Sequence, residues 1–479
     1  MLNPGRNCWR IERADRASVI VDAADYFHHA REAMLAAKQQ ILLIGWDFDT
    51  RIHLDDTEDK APASLGAFIS WMARHRPGVA IHILRWDWGA PKLLTRGTTA
   101  LRLLNWARTK QIHFKLDGAH PAGASHHQKI VVIDDNLAFC GGIDMTATRW
   151  DTRQHRDADP RRKRPTTGRR YQPWHDATMA VDGAAARALG ELSRERWKIA
   201  GGEPIAAPSI NSDPWPRDLD PQFRDAEIAI ARTRGEHDEL SEVREVEALF
   251  VAMIVEARRF VYIESQFFAS RVVGEAVAKR LGEADGPEFV VVNPRTAEAW
   301  AEDEVMSPAR AKIVEALRAA DRHDRFRIYT PVTAGGADIY VHSKIMIVDG
   351  DQLRVGSANI NNRSMGLDSE CDLLVDGRRE ANAGAATAIG AILCDLLAEH
   401  LGRDRGEVER RLATTGSLVR TIEAFRGAGR TLVPLRVEEP NAVEDALAES
   451  EALDPESAGE YFETSKSRGL LQRLQFWKR

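Results

Sequence analysis

His127 and Lys129 stand two residues apart in the stretch A-S-H-H-Q-K-I-V-V-I-D-D, Ala124 to Asp135, at the mouth of an apolar run that an acid closes. In an extended chain residues i and i+2 point to one face, so imidazole and ammonium project together. The pair joins a group that titrates near neutrality to a fixed positive charge, which suits attack on an anionic centre. One copy alone is weak evidence, but the chain holds two. V-H-S-K-I-M-I-V-D-G, Val341 to Gly350, repeats the pattern His-x-Lys-x-x-x-x-Asp, so His342, Lys344 and Asp349 match His127, Lys129 and Asp134. Gly141-Gly142 and Gly356-Ser357 follow the two histidines at the same offset. Each half then reaches an acid that opens another short apolar strand, Asp176 in "WHDATMAVDG" and Glu370 in "DSECDLLVDG". The first half takes longer because it carries the insertion "HRDADPRRKRPTTGRRYQP", whose Pro, Gly and charge content predicts a solvated loop.

A duplicated half-site implies one composite site on a pseudo-two-fold axis. Displacement at a phosphodiester needs a nucleophile, an acid for the leaving alcohol, and cations on the non-bridging oxygens. Two facing histidines meet the first two needs, and Lys129 and Lys344 the third. Ser357 and Asn359 add neutral donors to phosphate. Asp176 and Glu370 are placed to fix the histidine tautomers, each entering the half-site of its own half from the neighbouring strand. Asp134 and Asp349 close strands at turns, where structural bridging outweighs direct chemistry. His126 faces away from His127 on a strand. Where the second half has Asn359 in "GSAN", the first has Asp144 in "GGID". An ionised carboxylate cannot donate to phosphate, so Asp144 is expected to be structural or to bond a neighbour such as Arg149. None of the clustered His/Cys/acid spacings that ligate a metal appears, and the chemistry requires neither metal nor cofactor.

Paired His-x-Lys-x-x-x-x-Asp motifs, each followed by Gly-Gly or Gly-Ser, resemble those of the phospholipase D superfamily over most of residues 5–435. The flanking stretches "GGIDMTATRWDTRQH", "PWHDATMAVDG", "YIESQFF" and "GSANINNRSMGLDSE" are similar to its glycerophospholipid-cleaving type from bacteria. The resemblance implies two similar α/β sandwich lobes with the active site at their interface, and His127, Lys129, Asp134, His342, Lys344 and Asp349 as the catalytic set. It implies a phosphohistidine on His127, with His342 as acid and then base, released by water or an alcohol. The substrate would be a glycerophospholipid at a membrane surface. The product would be phosphatidic acid or a phosphatidyl alcohol. A cardiolipin-synthase-like phosphatidyltransferase and a metal-independent nuclease of the same superfamily are the alternatives.

Organisation and composition agree with that outline. Helical and apolar-strand patterns alternate in "YFHHAREAMLAAKQQILLIGWDFD", "SLGAFISWMARH", "VAIHILRW", "EVEALFVAMIVEARRFVYIESQFF", "EFVVVN" and "MSPARAKIVEALRAA", which predicts an α/β fold built twice. The proline-bearing stretch 201–222 is the expected linker between an N-terminal lobe, 1–205, and a C-terminal lobe, 223–435. Residues 436–479 read as an acidic mobile tail ending in a basic amphipathic segment, with Leu470, Leu471, Leu474 and Trp477 on one face. Across 479 residues, 43% are hydrophobic and 29% charged, as in a globular protein. The net charge of −6 counts against nucleic acid as partner. Four scattered cysteines and no apolar leader or span predict a cytoplasmic protein, peripheral to the membrane's inner face if the terminal segment engages lipid.

Overall fold

Two strand-helix series run through the chain, and the second repeats the first. The computed structural model describes residues 2–55, 60–87, 99–296, 300–437 and 454–455. The first series is β1 (Arg10–Val21), α1 (Ala23–Ala36), β2 (Gln40–Gly45), α2 (Leu65–His75), β3 (Ala80–Trp86), α3 (Thr99–Trp106) and β4 (Ile112–Asp117). It continues with β5 (Ile130–Ile133), β6 (Leu137–Gly141), β7 (Trp174–His175), β8 (Ala177–Asp182) and α4 (Gly183–Ile199). The second begins with β9 (Phe223–Arg234), β10 (Val243–Arg244), α5 (Glu245–Glu256), β11 (Phe260–Glu264), α6 (Arg271–Leu281), β12 (Glu288–Val292), α7 (Trp300–Ala320) and β13 (Phe326–Val332). It then runs through β14 (Tyr340–Val341), β15 (Ile345–Val348), β16 (Gln352–Gly356), α8 (Asn362–Gly366), β17 (Glu370–Asp376) and α9 (Ala385–Leu401). Helices α10 (Arg405–Thr415) and α11 (Leu418–Phe425) and strand β18 (Thr431–Pro434) follow.

Apart from β7 and β14, which pair with each other, and β10, which pairs β9 off the path, the strands form one sheet whose order is a mirror about its middle: β4-β3-β2-β5-β6-β8-β1, then β9-β17-β16-β15-β11-β12-β13-β18. The outer trios β2-β3-β4 and β11-β12-β13 are parallel, joined by helical crossovers. The seam is antiparallel pairing of β1 with β9, from Arg10 opposite Ile230 to Ala17 opposite Phe223. Between α4 and β9 the chain has no helix or strand, yet Trp215 and Leu219 there are buried against the first half.

Strands buried on both faces read as unbroken apolar runs, which is why I-V-V-I (β5) and I-M-I-V (β15) carry no alternation. One core lies under α4 and α9 and runs across the seam, through Leu189, Ile228, Ile230, Leu373 and Leu393. On the opposite face α1 and α2 cover the first half through Phe27, Met34, Phe68 and Met72, and α5 and α6 cover the second through Leu249, Phe250, Val273 and Val277. Among the described residues no single helix is long and apolar enough to cross a membrane. The expected amphipathic segment near the C-terminus lies outside the described residues. Within the expected mobile tail, Asp454 is buried and accepts from the backbone N–H groups of Asn362 and Arg363.

Asp134 and Asp349 end β5 and β15 at the opposite end from the histidines. Five residues at roughly 3.3 Å each put Asp134 about 16 Å from Lys129 along the strand. Both adopt left-handed backbone conformations, φ 53° and 55°, which aspartate tolerates. The Asp134 carboxylate accepts from Lys38, Gln39 and Gln40 N–H at 2.7, 2.8 and 2.7 Å and so clamps the turn from α1 into β2. Asp349 does the same for α5 and β11 through Arg258, Arg259 and Phe260 N–H. Their place in the expected catalytic set is thus corrected: they anchor turns far from the imidazoles. Asp134→Ala strands three N–H donors and is expected to lower unfolding stability by roughly 2–4 kcal/mol in urea titrations. Turnover per folded molecule should stay at the wild-type value, and a collapse of turnover at full stability would return the residue to the catalytic set.

Candidate active site

Two short parallel pairings decide which acid meets which histidine. Strand β7 pairs β14 with Trp174 opposite Tyr340 and His175 opposite Val341. The next residues, Asp176 and His342, are therefore neighbours. His342 N–H donates to His175 O at 2.7 Å, and its Nδ1 lies 2.7 Å from Asp176 Oδ2. The mirror arrangement is the parallel bridge of His126 with Ser369. There His127 N–H donates to Ser369 O at 3.0 Å, and its Nδ1 lies 2.9 Å from Glu370 Oε1. Each orienting carboxylate thus comes from the other half, which corrects the expected pairing within one half. Strand adjacency alone suggested the same-half partner; the inter-half pairings override it. With Nδ1–H donated to a carboxylate, each imidazole leaves Nε2 without a hydrogen bond among the described residues.

The remaining predicted residues divide into those that face this pair and those committed elsewhere. Lys129 Nζ donates to His127 O at 2.9 Å and sits 3.4 Å from Asp144 Oδ2. Lys344 Nζ donates to His342 O and approaches Gln266 Oε1 at 3.4 Å. Asp144 is structural as expected, but its partners are Lys129 and Trp46 N–H rather than a hydrogen bond to Arg149. The Ser357 hydroxyl donates to Glu370 and accepts from Cys371 N–H, so it orients a carboxylate and is not aimed at phosphate. Ser364 donates to the other Glu370 oxygen at 2.7 Å. Asn359 Nδ2, the donor atom of its amide, makes no hydrogen bond among the described residues, leaving Asn359 as a phosphate ligand candidate. Gly142 is required by contact: a Cβ there would overlap the Asp176 carboxylate.

Residues outside the repeated His/Lys/acid pattern complete the walls. Trp174 stacks on Tyr340 at 4.5 Å and lies 5.2 Å from His342. The Arg149 guanidinium lies 4.2 Å over the Trp174 ring. His126 is fully buried, with Nδ1 2.8 Å from Ser369 Oγ, so it braces the inter-half bridge. Gln266 lies in "YIESQFF", a stretch whose polar residues inside an apolar strand end were the available signal. The expected solvated insertion is only half correct. Residues 163–170 are exposed, but Arg162 is buried on Asp151 at 2.9 Å, and buried His155 meets Glu399 of the second half at 3.1 Å.

Burial and like charge act together on the imidazoles. His127 is held well below the usual histidine range by burial, then by Lys129 and Lys344. His342 is held well below it by burial, Lys344, Arg149, Lys129 and His127, a list that itself reports how near the two halves stand. Burial pushes the Asp176 carboxyl up to about 6 and the Lys344 ammonium down to about 7. Burial also raises Glu370. In the free protein both imidazoles are therefore neutral nucleophiles or bases, and an arriving anion that offsets the lysines raises their proton affinity. The crossed pairing has a direct spectroscopic consequence. Imidazole ¹⁵N spectra are expected to show both rings as Nδ1–H tautomers, with Asp176→Asn moving the His342 signals alone and Glu370→Gln those of His127 alone. The opposite assignment would restore same-half pairing.

Comparison with known proteins follows the same outline. A family model described as Phospholipase D matches residues 33–274, and one described as Cardiolipin synthase, PLD-like domain, matches residues 250–387. Phospholipase D A of Dictyostelium discoideum is 25% identical over 435 residues, covering 75% of this chain and 33% of that protein. Phospholipase D1 of Schizosaccharomyces pombe is 24% identical over 516 residues, covering 84% of this chain and 36% of that protein. The chain thus spans about a third of the length of these curated relatives. The crystal structure of phosphatidylserine synthase from Haemophilus influenzae superposes with a TM-score of 0.52 at 11% identity, covering 87% of this chain and 96% of that one, which shows a shared fold. With the family model spanning half its length, this chain belongs to the phospholipase D family.

Proposed function

We propose that the chain is a phospholipase D-type phosphodiesterase that cleaves or exchanges the headgroup of glycerophospholipids. The observation that supports this most directly is the crossed pair His127–Glu370 and His342–Asp176, with both Nε2 atoms unspent beside Lys129 and Lys344. A phosphodiester anion would be held by the two ammonium groups and Asn359. His127 Nε2 attacks phosphorus while the bond to the headgroup oxygen breaks. His342, protonated as the anion offsets the lysine field, gives its Nε2 proton to that oxygen, and the headgroup alcohol leaves. The phosphatidyl group is then on His127. Neutral His342 takes a proton from water or an alcohol, whose oxygen attacks phosphorus and frees His127. Glu370 and Asp176 hold the rings and balance each imidazolium as it forms. Hydrolysis and exchange are two exits from one intermediate, so a phosphatidyltransferase differs only in which acceptor reaches it.

The test is to incubate the protein with vesicles of phosphatidylcholine, phosphatidylethanolamine and phosphatidylglycerol plus ethanol, reading products by mass spectrometry. Phosphatidic acid and phosphatidylethanol are expected from wild type and neither from His127→Ala or His342→Ala, a loss of roughly 10³-fold or more. Cleavage of added single-stranded DNA with every lipid untouched would overturn the lipid assignment. A second expectation concerns pH. Asp176 accepts the His342 proton only when ionised, a state lost as pH falls through about 6, whereas Lys344 is charged only until pH rises through about 7. A kcat/KM profile peaking between these values is expected, and one that is flat across them would exclude this pair of groups as its cause.

A further inference from the structure

Behind His342 lies a polar cluster that the reaction does not use. Asp22 follows β1, His155 comes from the insertion, His175 from β7 and Glu399 from α9, and all four are buried. We infer that Asp22, His155, His175 and Glu399 form a closed site for one divalent cation of the zinc class. One nitrogen or oxygen of each lies within 4.8 Å of every other. Around the ring, His155 Nε2 is 3.4 Å from Asp22 Oδ2 and 3.1 Å from Glu399 Oε1. His175 Nδ1 is 3.5 Å from Asp22 Oδ1 and 2.9 Å from Glu399 Oε1. A tetrahedral ion with bonds of about 2.0–2.2 Å spaces its ligand atoms by roughly 3.3–3.6 Å, close to the longer of these edges.

Two further observations point to a ligand rather than to a set of chance neighbours. Asp22 is fully buried, and its Oδ2 makes no hydrogen bond among the described residues. Each histidine also turns its other nitrogen to a separate carboxylate: His155 Nδ1 to Asp151 Oδ2 at 3.0 Å, and His175 Nε2 to Glu264 Oε2 at 2.8 Å. Those acids are held in turn, Asp151 by Arg162 and Glu264 by His400, Tyr262 and Ser343. A carboxylate on the far nitrogen is how metal-bound imidazoles are usually oriented. Two nitrogens and two oxygens with no open position lie within the ligand range of zinc, and the Asp22 and Glu399 carboxylates would offset part of its charge beside Arg153 and Arg430, which also face Glu399. The ligands lie on four distant segments, so no spacing motif exists for sequence to reveal. An ion here would tie Asp22, His155 and His175 of the first half to Glu399 of the second, next to Asp176 between β7 and β8. The same cage can be closed instead by two protons, making both imidazoles cations between carboxylates.

The full chain, purified without chelators or metal-affinity resin, would be analysed by inductively coupled plasma mass spectrometry. It would then be unfolded in guanidinium with EDTA and refolded with zinc chloride, with cobalt chloride, or with neither. About one zinc per chain, a several-fold higher refolding yield with zinc, and visible cobalt bands of a tetrahedral N/O site are expected. His155→Gln and Glu399→Gln should each lose the ion and the cobalt bands. Substoichiometric metal with refolding indifferent to zinc and EDTA would overturn the inference in favour of the protonated pair. Stoichiometric zinc retained by either folded variant would overturn it by placing the ion elsewhere. Metal content and refolding are read without any lipid assay, so these outcomes are independent of the proposed reaction.

Discussion

Everything at the centre of this molecule depends on two carboxylates crossing from one half to the other. Glu370 reaches His127 and Asp176 reaches His342, and the crossing is enforced by backbone, through β7 on β14 and the His126–Ser369 bridge. Neither half holds an oriented imidazole without its partner. The glycine that follows β6 belongs to the same constraint, since the Asp176 carboxylate occupies the space a side chain at Gly142 would need. Ser357 and Ser364 are spent on fixing Glu370, so hydroxyl groups near the site serve the geometry of an acid.

The electrostatics follow from that burial. Two lysines and Arg149 share a desolvated space with two imidazoles, an arrangement that disfavours additional positive charge. In the proposed reaction the histidines stay neutral until an anion arrives, and the anion's own charge then makes one of them an acid. Binding and proton supply are therefore one event. The lysines hold the site in this waiting state, which is why their amino groups are buried against the histidine carbonyls.

The sequence made the residues of the candidate site legible and left their wiring hidden. His127, Lys129, His342, Lys344, Asp176 and Glu370 are all recognisable from type and spacing, and the structure brings all six together. The alternating elements are legible because buried strands such as I-M-I-V and amphipathic helices carry distinct periodicities. Partner choice was not, because adjacency along the chain suggests same-half contacts and the decisive pairings join segments far apart. Asp134 and Asp349 show a second limit: a repeated acid in a repeated motif can be repeated because the fold is, with both copies clamping equivalent turns. The insertion shows a third. Its composition resembles solvent-exposed loop, yet Arg162 and His155 are interior, and only their partners Asp151 and Glu399 explain why.

The seam between β1 and β9 carries a mechanical consequence. Enzymes that place a site between two bodies often admit substrate by swinging the bodies apart, with a few residues acting as the pivot. Here the bodies share one sheet, and the ladder from Arg10–Ile230 to Ala17–Phe223 would have to tear for them to separate. The two halves are consequently one continuous body. In the proposed reaction a lipid would therefore be fed headgroup first to histidines that cannot come to it, and the slow motion in the cycle would belong to the substrate leaving the membrane plane.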